Sequence, residues 1–382
     1  MHVELTEEQE ALRRMVREFA EGEVAPHAAD WDRDHTFPVD VVRAMGELGL
    51  FGIPFPARYG GGDGDLTMLC LAIEELGRVD QSVAITLEAG VGLGANPIYR
   101  FGTEEQRQTW LPDLCAGRAL GGFGLTEPEA GSDAGGTRTT AVLDEVAGEW
   151  VIDGEKAFIT NSGTEITSLV TVTARTGPGE ISAVIVPAGT PGFEVQPPYR
   201  KVGWHASDTH GLTFSGCRVP AENLLGPRGR GFAQFLEILD EGRIAIAALA
   251  VGCIQGCLDH CVAYAQDRHA FGRPIGSNQG VAFPIADLAV MAETARLLTY
   301  QAAWLRDTGR PFKRAAAMAK LHATEAAVTA TRIATQVFGG YGFMDETPVG
   351  RFYRDAKILE IGEGTSEVQR LVISRELGLP VR

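Results

Sequence analysis

Trp150-Val151-Ile152-Asp153-Gly154-Glu155-Lys156-Ala157-Phe158-Ile159-Thr160 sets two runs rich in β-branched and aromatic residues on either side of an Asp-Gly pair. Asp-Gly tolerates the positive φ angles of a type I′ turn, so the stretch predicts a hairpin turning at Asp153-Gly154. Residues 169–174, 182–186 and 193–196 repeat the pattern, with short β-branched runs between turn residues from Leu120 to about Phe214. A small antiparallel barrel or sandwich is expected for this middle third.

On both sides the periodicity becomes helical. Thr6-Glu7-Glu8-Gln9 reads as a capping box, with Thr6 as N-cap and Gln9 reaching back. Leu12, Val16 and Phe19 follow at helical spacing, and Pro26 comes after the helix. Further amphipathic stretches cover 39–48, 66–78 and 104–116, with the flexible loop Tyr59-Gly60-Gly61-Gly62-Asp63-Gly64 between the first two. Beyond the β region, 232–266, 281–307, 312–338 and 366–377 read as alanine-rich helices too apolar for solvent on all sides, hence a bundle. A chain of 382 residues exceeds one compact core. The expected organisation is a multidomain α+β protein: a helical domain over 1–120, a β domain over 121–235 and a helical bundle over 236–382.

The net charge of −16 argues against nucleic acid and anionic membrane surfaces as partners. The first twenty residues lack the apolar core of a secretory signal, and the apolar run 244–254 is too short to span a bilayer. Six cysteines in so long a chain read as reduced and cytoplasmic. Cys253, Cys257 and Cys261, with His260 beside them, make one helical stripe. A linear stripe cannot surround a tetrahedral ion, so packing is the expected role and no metal is expected. Gly90-x-Gly92-x-Gly94 and Gly339-Gly340-Tyr341-Gly342 lack the spacing and the strand-to-helix setting of a dinucleotide fold. Walker A, G-x-S-x-G and H-E-x-x-H motifs are absent from the sequence.

Three segments carry chemistry. Phe123-Gly124-Leu125-Thr126-Glu127-Pro128-Glu129-Ala130-Gly131-Ser132-Asp133 is a loop dense in hydroxyls and backbone donors, suited to a heteroaromatic edge and a phosphate, or else a surface turn. Lys156-Ala157-Phe158-Ile159-Thr160-Asn161 offers an aromatic face followed by a hydroxyl, or else a core phenylalanine. In Ile361-Gly362-Glu363-Gly364-Thr365-Ser366-Glu367-Val368-Gln369-Arg370, Ser366 and Gln369 read as a capping box. Glu363, between two glycines, is left free to face a cavity, or else complements the helix dipole.

Taken together and in order, these segments resemble the acyl-CoA dehydrogenases across essentially the whole chain. Leu125 to Asp133 looks like the first family signature, and Arg354-Asp355-Ala356-Lys357 through Arg370 like the second. Arg268-x-x-Phe271-Gly272-x-Pro274-Ile275 and Gln336-x-x-Gly339-Gly340-x-Gly342 also match. The resemblance implies a helical N-terminal domain, an antiparallel β-barrel and a C-terminal four-helix bundle. It implies FAD as cofactor, with its ring held by Phe123, Gly124, Leu125, Thr126 and Ser132 and by Phe158, Ile159 and Thr160. Thr365 and Glu367 would hold FAD from the C-terminal side. Arg268, Phe271, Gln279, Gln336, Gly339 and Gly340 would reach the FAD of a neighbouring subunit, which makes a homo-oligomer, by resemblance a tetramer, part of the site. Many relatives carry Trp where Phe158 stands, and a large or polar residue where Gly280 and Ala282 stand.

By the same resemblance Glu363 abstracts the α-proton of an acyl-CoA thioester, its backbone N–H stabilising the enolate oxygen, while hydride passes from Cβ to the flavin and onward to an electron-transfer flavoprotein. Ser132, Asp240, Arg243 and Gly364 would contact the acyl-CoA. Some members place the base on a C-terminal-domain helix. Here that position falls on Gly242, and Glu241 lies roughly 100° around the helix from it. Residues 239–247 and 360–373 look most like short-chain and short branched-chain members. An acyl-CoA oxidase and a non-catalytic flavin- or acyl-carrier-binding homologue are the alternatives; a nitroalkane oxidase, with Asp as its usual base, is disfavoured by Glu363.

Overall fold

The structure, a computed structural model, describes residues 4–381. Seven α-helices open the chain: α1 Glu7–Phe19, α2 Ala28–Asp34, α3 Val39–Glu47, α4 Leu66–Gly77, α5 Gln81–Glu88, α6 Asn96–Phe101 and α7 Glu104–Cys115. The capping box forms as expected: Gln9 N–H donates to Thr6 Oγ1 at 3.2 Å and Thr6 N–H to Gln9 Oε1 at 3.1 Å. Thr103 and Gln106 repeat it at the head of α7. Asp65 and Asp80 cap α4 and α5 through the N–H groups of Met68 and Val83. Directly after α5 the chain widens into π-helical turns over Ala89–Ala95, a local defect common beside functional sites. Gly90, Gly92 and Gly94 lie in these turns and not at a phosphate loop.

The middle strands are β1 Leu120–Gly124, β2 Thr140–Asp144, β3 Glu149–Thr160, β4 Thr167–Gly177, β5 Glu180–Pro187, β6 Phe193–Pro198, β7 Thr209–Pro220 and β8 Leu224–Leu225. They hydrogen-bond in the order β6-β7-β3-β2-β4-β5-β8, with β1 added beside β4. Two sequence expectations are corrected here. The sheet is mixed rather than antiparallel, because β1 and β2 both pair parallel with β4, and it is open rather than a closed barrel. Its edges have little to close with: β6 ends in Pro197-Pro198, which lack N–H donors, and β8 has two residues.

The predicted hairpin at Asp153-Gly154 is corrected as well, since β3 runs straight through it. The Asp-Gly pair is instead a bulge against β7, with a register shift between Ile152 and Gly154. Gly154 has φ 146°, and a Cβ there would come within 2.7 Å of Thr139 Cα. Asp153 Oδ1 accepts from the Gly216 N–H across the bulge at 2.7 Å.

The C-terminal third is α8 Gly231–Asp267, a short ribbon of β9 His269–Ala270 with β10 Arg273–Pro274, then α9 Gln279–Asp307, α10 Lys313–Phe338, α11 Pro348–Ala356 and α12 Ser366–Glu376. α8, α9 and α10 pack on one another, with α12 along α10. One window of α8 is long and apolar enough to cross a bilayer, contrary to the sequence reading, but 78% of it is buried within the protein. Cys253, Cys257 and Cys261 are all fully buried in α8, and no group of metal-ligating side chains occurs among the described residues. One apolar core joins the N-terminal helices to α8, α9 and α10, and a second lies within the sheet.

Candidate active site

Glu363 sits on the turn between α11 and α12 in a left-handed conformation, φ 52°, followed by Gly364 at φ 94°. For a residue with a Cβ this costs on the order of 1–3 kcal/mol and persists only where the surroundings enforce it. Here Lys320 Nζ and Gln369 Nε2 both donate to the Gly364 carbonyl at 2.8 Å, and Gln369 also reaches the Glu363 carbonyl at 3.3 Å. This corrects the expected Ser366–Gln369 capping box. Thr365 is the N-cap, its hydroxyl accepting from the Val368 N–H at 3.3 Å, while Gln369 turns back onto the glutamate corner.

The corner aims the carboxyl inward. A Cβ added to Gly242 would come within 3.1 Å of Glu363 Cδ and closer still to Oε2. The glycine on α8 and the glutamate on the turn thus occupy one place from two directions. Glu241, the neighbouring acid, points elsewhere: it accepts from Arg100 at 2.7 Å, Arg306 at 2.9 Å and Asn96 at 3.3 Å.

Glu363 faces a second acid. Glu88, at the end of α5, is fully buried, and its carboxyl faces that of Glu363. Burial pushes Glu363 up to about 7, against the hydrogen bond from Glu88 and the charges of Lys320 and Arg243. Burial also drives Glu88 well above the carboxylate range, and the Glu363 charge adds to it. Two carboxyls so close cannot both ionise readily, so Glu88 keeps its proton and Glu363 gives one up near neutrality. Beyond Glu88 and Gly242 a narrow cavity of about 30 Å³ runs past Leu69 and Val91 to Tyr99 and the Glu241–Arg306 pair.

The predicted cofactor segments converge on one face. The Ala157 N–H donates to the Thr126 carbonyl at 2.9 Å, bringing the loop after β1 against β3. Lys156 Nζ, fully buried, donates to Glu127 Oε1 at 2.8 Å, and Glu127 also takes the N–H groups of Arg138 and Thr139 at 2.6 and 3.1 Å. This buried pair ties down the loop from Phe123 through Gly124, Leu125 and Thr126, with Ser132 exposed at its outer part. Phe123 stacks on Phe235 at 3.9 Å between ring centres. Phe158 stands at φ 63° and is 64% exposed beside Tyr199, while Ile159 is buried and Thr160 half-buried. An aromatic held out of the core by a strained backbone is a platform for a flat ring, so these residues fit a flavin.

Arg268, Phe271, Gln279, Gln336, Gly339 and Gly340 gather at the other end of the bundle, where α8 and α10 end and α9 begins. All six are exposed, Phe271 at 98%. At about 1.5 Å per residue, roughly 40 Å of α8 separates Gly242 from Arg268, so the structure does not bring them to the Glu363 pocket of their own chain. Asp240 and Arg243 form an ion pair on α8 beside that pocket. Thr365 caps α12 and Glu367 is exposed on its first turn.

Sequence comparison accounts for the whole arrangement. Residues 6–118, 122–217 and 229–378 match the acyl-CoA dehydrogenase N-terminal, middle and C-terminal domains. The chain belongs to the acyl-CoA dehydrogenase family. It is 52% identical over 380 residues to a probable acyl-CoA dehydrogenase of Bacillus subtilis (strain 168), covering 99% of this chain and 100% of that one. The butyryl-CoA dehydrogenase of Megasphaera elsdenii superposes with a TM-score of 0.96 at 41% identity, covering 99% and 100% of the two chains. A chain solved in work on the electron transferring flavoprotein of Acidaminococcus fermentans superposes with a TM-score of 0.96 at 45% identity, covering 99% of each. This acyl-CoA dehydrogenase is therefore a flavoprotein oxidoreductase acting on acyl-CoA.

Glu88, Lys320, Gln369 and the Glu127–Lys156 pair are the contributors that sequence reasoning missed as working parts. Glu88 did leave a signal, a lone acid closing the apolar run Val83-Ala84-Ile85-Thr86-Leu87.

Proposed function

We propose that this dehydrogenase converts a short or short branched-chain acyl-CoA to the 2-enoyl-CoA, using FAD, with Glu363 as the base. The observation that carries the proposal is the Glu363 carboxyl packed over Gly242, with Oε2 buried and without a hydrogen-bond partner among the described residues, and with its pKa raised to about 7. A base with a pKa near the working pH combines availability with strength. The Cα–H bond breaks and its proton goes to Glu363. The Glu363 N–H makes no hydrogen bond within the chain among the described residues, and serves as donor to the enolate oxygen. Bound FAD, held by the Phe123–Ser132 loop, Phe158, Ile159, Thr160, Thr365 and Glu367, supplies the acceptor for the β-hydride as the double bond forms. Asp240, Arg243, Ser132 and Gly364 line the way for the thioester and the CoA arm.

Short substrates are supported by the narrow cavity beyond Glu88, about 30 Å³. The Megasphaera neighbour, named for butyryl-CoA, points the same way. A homo-oligomer, a tetramer in this proposal, is supported by the exposed Phe271, Tyr341, Phe343 and Met344 at the far end of the bundle, where Arg268 lies over the Tyr341 ring. Electrons would leave to an electron-transfer flavoprotein, as the Acidaminococcus neighbour suggests. The same proposal puts the protein in the cytoplasm, where its six unpaired cysteines stay reduced.

The experiment is anaerobic bleaching of the bound flavin by a panel of acyl-CoAs. Butyryl-CoA and isobutyryl-CoA should bleach it quickly and octanoyl-CoA slowly. Glu363→Gln should slow bleaching by at least ~10²–10⁴-fold at unchanged FAD content. Near-normal bleaching by that variant removes Glu363 from the role.

A further inference from the structure

Lys320, in the middle of α10, has no exposed surface. A buried ammonium is normally paired with a carboxylate, because desolvating an isolated charge is costly. Lys320 forms no ion pair among the described residues, and its one hydrogen bond runs to the Gly364 carbonyl at 2.8 Å. That carbonyl belongs to the residue after the base, on the turn that Gln369 also grips.

The charges around the pocket make this placement meaningful. Glu363 is faced by Glu88 from α5, Lys320 from α10 and Arg243 from α8. Arg243 is already engaged by Asp240. One uncommitted cation therefore serves two carboxyls. It is bonded to the turn that carries Glu363, not to Glu88 or to α5. Glu360 and Glu367 also face Lys320, from the turn before and the helix after.

We propose that Lys320 is a positioning residue for proton abstraction, holding the Glu363–Gly364 corner through the carbonyl and selecting Glu363, not Glu88, as the ionised member of the pair. The proposal rests on Glu363 being the base. Burial lowers Lys320 to about 8, with Glu363 raising it, so the lysine remains charged at neutral pH. The sign follows directly. A neighbouring cation favours the carboxylate, so removing it raises the Glu363 pKa and moves the rise of proton abstraction to higher pH.

The test uses the FAD-loaded oligomer and 3-thiabutyryl-CoA. Sulfur at the β-position leaves an acidic α-proton and no β-hydrogen, so proton removal is read without hydride transfer, as the change in visible flavin absorbance on binding. Lys320→Gln keeps a donor for the Gly364 carbonyl and loses the charge; Lys320→Met loses both. Both variants should titrate this change at least about one pH unit above the unmodified protein, a tenfold loss of ionised base at a given pH. FAD content and unfolding temperature of Lys320→Gln should be nearly unchanged. An unshifted midpoint in either variant overturns the proposal, and so does loss of FAD from both, which assigns Lys320 to folding. Glu363→Gln, measured beside them, tests the underlying reading separately: it should abolish the absorbance change at every pH, and a retained change removes the base whatever the lysine variants do.

Discussion

Gly242→Ala separates stability from chemistry in this protein. Gly242 lies well inside the 37-residue helix α8, where alanine is the better helix former by roughly 0.8–1.0 kcal/mol. The new methyl group would meet no backbone of another element; what it meets is the Glu363 carboxyl, with Cδ at 3.1 Å and Oε2 nearer. Carbon atoms pack at about 3.5–4.0 Å, so the carboxyl must withdraw by roughly 1 Å. A carboxyl at the end of a side chain can do so cheaply, and the helix gain offsets the cost. Chemistry is less tolerant, since a displacement of about 1 Å in a reacting group can cost ~10²-fold. Gly242→Ala should therefore unfold within a few degrees of the unmodified protein and retain FAD. In anaerobic stopped flow it should reduce flavin with butyryl-CoA about a hundredfold more slowly. A rate within threefold of normal would refute the claim that Gly242 and Glu363 share one place. A large fall in unfolding temperature would refute the claim that the methyl meets only a movable carboxyl.

Glu241→Gln should do the opposite of Gly242→Ala. It strips the charge from the partner of Arg100 and Arg306, lowering stability by about 1.5–3 kcal/mol in thermal or denaturant unfolding, while flavin reduction in the folded fraction stays near normal. Asp355, fully buried, is pushed up to about 7 by burial, with the Asp80 charge adding to it and the Trp204 N–H and Arg351 opposing. Its folded pKa lies above the ordinary unfolded value, so its contribution is full below about pH 4 and is lost as pH rises through about 7. Asp355→Asn should accordingly gain in unfolding temperature relative to the unmodified protein between pH 4 and 7; a constant difference across that range contradicts the assignment. Phe271→Ala should release FAD on dilution together with a fall in solution mass, and full flavin retention by a monomer rules out a shared site.

Much of the helical framework could be read because its signals are local. The Thr6–Gln9 box, Pro26 and the apolar spacing of 66–78 act within one or two turns of chain. Asp153-Gly154 misled because a tight turn and a bulge both favour glycine for its unusual φ angles, and the choice between them lies with β7, about sixty residues away. Ser366–Gln369 misled similarly: Thr365 supplied an equally good cap one residue earlier, and a distant geometry, the Glu363 corner, claimed Gln369. Glu363 itself stood out because two glycines isolate it. Lys320 did not, since it sits inside a helix whose partners come from other parts of the chain, and Glu88 was marked only by its place at the end of an apolar run. Their roles exist only once α5, α8, α10 and the last turn have met.

The single apolar core shared by the first and last thirds of the chain bears on how the molecule is made. In α4, ten of twelve residues are buried, and the helix closes against α8 and α9. A ribosome adds about 5–20 residues per second, so roughly 8–33 s pass between synthesis of Glu88 and of Ile254. For that interval the apolar faces of α4 and α5 that pack on α8 and α9 have no partner, while the sheet, with a core of its own, can already fold between them and the parts still to come. The nascent N-terminal helices are thus the segment a co-translational chaperone would have most reason to hold, until α8 emerges to cover them.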